Sequence, residues 1–423
     1  RSGWGAETSS RQDLMHLEWL GTRGLLLPDL RVVCNGFKLP ASRFTVPVER
    51  PGPPAGAAVL PDGHLGGRLR QESYAEAIAR MAAGGWGITP ILDEDEIEAF
   101  ATADAPSLNV GLRMKLGPAA DRRELAGLVS RFGMEAGAIG RAGAAIAASG
   151  SLRWTTLHGM VGSARTLPRE RFLAGLLLAA DVWADQRSRH ESLVELNVGG
   201  GLPPLAEPYD HRGVLRDFLA GTAALCHRRG VPQPEVTFEL GSLVAEESSF
   251  HVFRVLQWKR NHDPAAAPPW AIVDGGLMAA IPDMLLIGKP FRVLAAEAAD
   301  MPVADVVLGD VTCDPDGRYP PSSFGPGASV PLPSGDGPRH VVIQGVGAYQ
   351  EILAGVRGAH HCGLLEAAEL VLERRSDGRT HGRLLPRQTP ADAARLLGYV
   401  HSTADALSRT ERQSARRRSP NLP

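Results

Sequence analysis

A chain of 423 residues is too long for one ordinary core, and with 43% hydrophobic residues it can bury two. A net charge of −2 and an isoelectric point near 6.7 set up no field favouring nucleic acid or an anionic membrane. Cys34, Cys226, Cys313 and Cys362 show neither zinc-ligand spacing nor disulfide density, and no bilayer-length apolar run or signal peptide is visible. The expectation is a reducing cytoplasm, no membrane partner and no metal.

Residues 3–8 read as a short strand running into Ser10-Arg11-Gln12-Asp13, a Ser-x-x-acid helix start, and an amphipathic helix over 14–20. An apolar strand at 30–34 closes on Asn35-Gly36. Prolines 40, 47, 51, 53, 54 and 61, among many glycines, make 39–68 an inserted loop. A helix over 72–83 leads to a strand at 87–92, and Asp93-Glu94-Asp95-Glu96 opens another helix whose dipole the acids complement. Then come a strand at 108–112, helices at 122–131 and 136–148, a strand at 154–158, a helix at 169–187, a strand at 193–198, a helix at 214–229 and a strand at 236–239. Seven apolar strands separated by helical pattern read as parallel β/α units, and a closed barrel needs eight. The expected fold is α/β, a (β/α)8 TIM-like barrel whose first strand is missing from the chain and expected upstream of Arg1. An open doubly wound sheet is the alternative.

Beyond residue 243 the pattern changes. Strands at 250–258, 270–274, 303–308 and 340–345 have no long helices between them and are separated by Pro/Gly loops such as 319–338, as in an antiparallel β domain. Thr389-Pro390 caps a closing helix with Leu396, Leu397 and Val400 on its apolar face, and Arg416-Arg417-Arg418 reads as a solvated end. The expected division is 1–243, 244–388 and 389–423.

Three places carry chemistry. Gly309-Asp310-Val311-Thr312-Cys313-Asp314-Pro315-Asp316-Gly317 sets a thiol beside Asp310, Asp314 and Asp316, a proton carrier next to acids that can hold a cationic substrate. A capped turn is the other reading. Gly199-Gly200-Gly201 follows a strand, where glycines let backbone N–H groups approach an anion such as phosphate, and Gly162-Ser163 offers a second donor. Glu239 ends the last barrel strand, where a carboxylate pairs with a protonated ring nitrogen or closes the barrel as an ion pair.

The glycine triplet, Glu239, Asp274-Gly275-Gly276, Thr312-Cys313-Asp314 and Gly347-Ala348-Tyr349 stand in the order seen in pyridoxal-phosphate decarboxylases of the alanine-racemase-like fold (fold type III). Val33-Cys34-Asn35-Gly36-Phe37-Lys38, the stretch 310–317 and Val346-Gly347-Ala348-Tyr349-Gln350-Glu351-Ile352-Leu353 resemble the biosynthetic arginine decarboxylases more closely, and the likeness covers nearly the whole chain. The resemblance implies decarboxylation of arginine to agmatine, or of a related basic amino acid, in polyamine-type metabolism. It implies that Gly199, Gly200 and Gly201, with Ser163 and Tyr349, hold the cofactor phosphate, that Ser10 and His158 belong to the cofactor site, and that Glu239 pairs with the pyridinium nitrogen. Cys313 would come across a homodimer interface to protonate the α-carbon, with Asp314 facing the substrate's distal cation.

The chain also departs from that pattern. The family's Schiff-base lysine lies on the first strand, and none of Lys38, Lys115, Lys259 and Lys289 stands in its motif. Met160 occupies the position of the ring-stacking histidine, His158 matching only the first histidine of that motif, and Ser242 replaces the phosphate-binding arginine. These departures leave a second expectation, a member that has lost the cofactor and acts as a binding or regulatory protein, as antizyme inhibitors do relative to ornithine decarboxylases.

Overall fold

The computed structural model describes residues 3–27, 29–38, 72–101, 107–116, 131–260, 267–297, 302–333, 338–355 and 360–399. The loop read at 39–68, nearly all of the helix read at 122–131, Val400 and the tail arginines lie outside these residues. The chain forms two compact units, Arg1–Leu240 and Gly241–Pro423.

The first unit holds strands β1 (Gly5–Thr8), β2 (Arg31–Cys34), β3 (Gly87–Leu92), β4 (Leu108–Met114), β5 (Leu152–Gly159), β6 (Glu195–Asn197) and β7 (Glu235–Thr237). They form one sheet in chain order with every neighbouring pair parallel. A doubly wound sheet reverses its strand order at a switch point, so the sequential order marks a curled, TIM-like half-barrel, as expected. The helices between strands are α1 (Arg11–Gly21), α2 (Tyr74–Ala83), α3 (Ile97–Ala101), α4 (Ala136–Ser149), α5 (Arg169–Arg187) and α6 (His211–Arg229). Their starts are set by side chains that take up otherwise unpaired N–H groups. Ser10 Oγ accepts from Asp13 N at 3.1 Å, Ser73 and Glu76 form a capping box, and Asp210 accepts from Gly213 N at 2.9 Å. Glu195, buried at the start of β6, accepts from Thr156 Oγ1 at 2.5 Å and from Thr237 and Arg31, so this interior charge is fully paired.

The second unit contains β8 (Phe250–Lys259), β9 (Trp270–Val273), β10 (Arg292–Ala295), β11 (Val303–Gly309), β12 (Arg318–Tyr319), β13 (Val330–Pro333) and β14 (His340–Gln344). Their order is β10-β14-β8-β9-β11-β12, with β13 also on β11. The pairing is antiparallel except between β9 and β11, which run parallel with Trp270 opposite Val307, making the sheet mixed. Phe253, Val273, Leu277, Val306, Leu308 and Ile343 belong to its core. The 319–338 stretch is not all loop, because β13 pairs there with β11.

A separate hairpin, β15 (Glu369–Arg374) with β16 (Thr380–Leu385), was not anticipated. Leu370, Leu372 and Leu384 in it are exposed, so it lacks the alternation of a half-buried strand. The closing helix runs Pro390–Leu396 behind a Thr389/Asp392 capping box, but Leu396 and Leu397 are exposed rather than packed. Among the described residues no helix is long and apolar enough to cross a membrane.

Candidate functional site

In the first unit the carboxyl ends of β2, β5, β6 and β7 converge on Glu239. Its carboxylate accepts from Asn35 Nδ2 at 3.1 Å to each oxygen and from Asn197 Nδ2 at 2.9 Å, and His158 Nε2 stands 3.4 Å from Oε1. Burial alone would raise the Glu239 carboxyl, but the close approach of the His158 imidazole, then the two asparagine amides, outweigh it and hold it down to about 2. Glu239 is therefore a fixed anion at neutral pH. Beside it, partial desolvation and the Glu239 charge raise Glu7 at the end of β1, although Ser9 donates to Glu7 at 2.7 Å. His158 is buried, and neither of its ring nitrogens makes a hydrogen bond, Nε2 meeting Glu239 only at the 3.4 Å contact.

The glycine triplet packs against both Glu239 and the 162–164 turn. Gly199 and Gly201 have φ of 66° and 99°, a region costly for other residues. A side chain on Gly201 would overlap the Gly162 carbonyl oxygen, and one on Gly200 the Glu239 carbonyl oxygen. Ala164 N donates to Gly201 O at 2.9 Å and Glu239 N to Gly199 O at 2.8 Å, which places Ser163, the triplet and Glu239 in one cluster. Ser163 Oγ accepts from Arg165 N at 3.2 Å, leaving its hydroxyl proton as a donor. Gly201→Ala is expected to cost about 1–3 kcal/mol through backbone strain and to part the two turns, measurable as a lowered urea midpoint. An unchanged midpoint would show that the two turns need not touch.

Two of the three loop N–H groups are already committed. Gly199 N donates to Asn197 Oδ1 at 2.9 Å, and Gly200 N to the Met160 thioether at 3.3 Å. Of the other candidates, Ser10 Oγ serves as the α1 cap. Tyr349, in the second unit, is exposed at a φ of 69°, rare for a residue with a side chain.

The lysines are placed elsewhere. Lys38 is fully buried, donating to Gly36 O at 2.6 Å and Ile91 O at 2.5 Å with Glu96 3.7 Å away, and burial lowers its pKa against the pull of Glu96. Lys289 is buried on Glu246 and Gly345 O, both at 2.9 Å. Lys115 pairs with Glu135 at 3.7 Å, and Lys259 is exposed on β8. The Ser163 hydroxyl and the one loop N–H not already committed suit an anionic phosphate and Glu239 a protonated ring nitrogen, while Lys38 and Lys289 are held on Glu96 and Glu246.

In the second unit Asp310 is a turn residue rather than a substrate acid. It accepts from Leu277 N at 2.7 Å, Thr312 N at 2.8 Å and Thr312 Oγ1 at 2.6 Å, the capped-turn reading for that carboxylate. Cys313 projects from this turn, exposed, with Sγ 3.6 Å from Cys362 Sγ and 3.9 Å from His361 Nε2. The hydrogen bond and charge of Cys362 push the Cys313 thiol up, which keeps it protonated. Asp314 Oδ1 takes the Asp316 N–H at 2.9 Å, and its Oδ2 lies 3.9 Å from His361 Nε2.

Sequence reasoning missed Asn35 and Asn197, though Asn35 sat in a quoted motif and was taken as a turn residue. It also missed His361 and Cys362, whose partner is 49 residues away in the chain.

No protein-family model matches the sequence, and no curated protein matches it. Solved structures do match. The biosynthetic arginine decarboxylase SpeA from Campylobacter jejuni aligns with a TM-score of 0.69 at 18% identity, over 100% of this chain and 77% of that one. Diaminopimelate decarboxylase from M. jannaschi gives 0.65 at 16%, over 93% and 79%. Diaminopimelate decarboxylase from Helicobacter pylori complexed with L-lysine gives 0.63 at 16%, over 94% and 92%. The fold is that of these alanine-racemase-like decarboxylases.

Proposed function

We propose that the chain carries the site of a pyridoxal-phosphate-dependent decarboxylase of arginine, giving agmatine, or of a related basic amino acid. The observation that carries this reading is the fixed Glu239 anion beside a glycine loop at the strand ends, in a fold shared with decarboxylases of arginine and diaminopimelate. Gly199, Gly200 and Gly201 with Ser163 would hold the phosphate, and Glu239 would keep the proton on the ring nitrogen. When bound, the cofactor supplies an electron sink that lets the α-carboxylate leave as carbon dioxide. Cys313, held protonated by its neighbour, would return a proton to the α-carbon, and Asp314 would face the distal cation. The resemblance supplies that thiol from a second copy, so a homodimer belongs to the reading. Four free thiols accord with a cytoplasmic setting.

Carboxyl-labelled arginine, lysine and diaminopimelate, each incubated with the chain and pyridoxal phosphate, should release labelled carbon dioxide, arginine fastest. Cys313→Ala should lower amine formation by about 100-fold or more. No release from any of the three, with cofactor binding shown by absorbance, would sink the proposal. The Met160 thioether on the Gly200 N–H and the committed lysines favour a second reading, a binding protein on the same fold. That reading expects calorimetric binding of a basic amino acid without release.

A further inference from the structure

We infer that Cys313, His361 and Cys362 form a binding site for a soft divalent cation, zinc above all, that nothing in the decarboxylase reading requires. Their ligand atoms all lie within 4.8 Å of one another, although the sequence spacing matches no zinc pattern. Zinc binds thiolate at about 2.3 Å and imidazole at about 2.0–2.1 Å in tetrahedral geometry, so two sulfurs should stand about 3.8 Å apart and sulfur and nitrogen about 3.6 Å apart. The observed separations are 3.6 Å between the sulfurs and 3.9 Å from Cys313 Sγ to His361 Nε2, each within about 0.3 Å of the corresponding tetrahedral edge.

A second, independent observation is the backbone at Cys362, with φ 56° and ψ 19°. Residues with a side chain occupy this left-handed region rarely and at a cost. The conformation lets two adjacent residues, His361 and Cys362, both reach Cys313. Asp314 Oδ2, 3.9 Å from the same imidazole nitrogen, is within reach of a metal held there, and exposure leaves the remaining position to water. Binding transfers the two thiol protons to solvent and forms two metal–sulfur bonds and one metal–nitrogen bond, with no change in oxidation state. Two thiolates and an imidazole prefer zinc, or cobalt as its spectroscopic substitute, to magnesium or calcium. In the decarboxylase reading the same metal would withdraw Cys313 from proton delivery, but the site does not depend on that reading.

The test is titration of the reduced full chain with Co2+, then with Zn2+. The expected result is one Co2+ per chain with thiolate-to-cobalt charge-transfer absorption, abolished by stoichiometric Zn2+. Cys362→Ser and His361→Ala should each weaken binding about 100-fold or more, since even a side chain that only hydrogen-bonds to a metal ligand is worth about 10–100-fold. Cys226→Ser, a buried thiol far from the cluster in sequence, should bind as the parent does. Absence of the charge-transfer band in the reduced chain, or its survival in Cys362→Ser, overturns the site. So does a Cys313–Cys362 disulfide formed in air by a chain that binds no Co2+ when reduced, which would make the pair a redox couple. Circular dichroism confirms that the variants fold, and all three side chains are exposed.

Discussion

Glu239→Gln is expected to cost the protein about 3 kcal/mol at neutral pH, and that cost should shrink by about 2 kcal/mol at pH 3. The native carboxyl sits at about 2 against an ordinary value of 4.5, and each unit of difference corresponds to about 1.4 kcal/mol. A depressed native pKa gives stability that is fully present above 4.5 and is lost as pH falls toward 2. Glutamine brings no charge to His158, and its amide turns an N–H toward donors that need an acceptor, so the variant lacks this contribution throughout and its stability does not follow the titration, while the native protein loses its advantage on acidification. Urea unfolding of both proteins at pH 7 and pH 3 gives the comparison. An equal gap at the two pH values would show that the native carboxyl titrates normally and that the asparagine and histidine contacts do not hold its charge.

The barrel was legible because most of its strands are apolar runs bounded by turn residues and each but the last is followed by helical pattern, an alternation that specifies parallel β/α units. Glycines at 199–201 and an acid at 239 stand out for a related reason: at strand ends, backbone freedom and charge have few purely structural uses. The asparagines that hold Glu239 did not stand out, because Asn35 before a glycine reads equally well as a turn and Asn197 sits inside an apolar strand. The β9–β11 parallel pair was hidden because it depends on β10 leaving for the far edge of the sheet, a non-local choice no short window records. The same holds for Cys313 and Cys362, which share a surface only because the turn after β11 meets a segment 49 residues later. Asp310 shows the opposite failure. Its charge suggested substrate, yet three short hydrogen bonds use it to shape the turn that presents the thiol.

Pyridoxal phosphate added to residues 1–423 is expected to bind reversibly, leave on dialysis, and give no lysine adduct after borohydride. Freeing Lys38 for covalent chemistry would strand Glu96, only 2% exposed, without its countercharge, a loss of about 3–5 kcal/mol for a broken buried pair. Lys289 faces the same obstacle with Glu246. Lys259 is exposed on a strand of the second unit. What remains is phosphate contact, and in the proposed reading the position of the arginine seen in the resembling decarboxylases is filled by Ser242, whose neutral hydrogen bond would be worth about 1 kcal/mol against about 1.5–3 kcal/mol for the arginine. Ser242→Arg should therefore tighten binding several-fold to some tens-fold. Met160, already lying on Gly200, can cover the ring by sulfur–aromatic contact and limit the loss of stacking. Visible absorbance before and after dialysis, then peptide mapping of the reduced protein, reads both parts. The residue to watch is Lys115, which follows β4 and whose ion-pair partner among the described residues is the exposed Glu135, a pair worth about 0–1 kcal/mol. Borohydride labelling there would show that a lysine outside the family's motif has taken the covalent role, and reversible binding would be the wrong description.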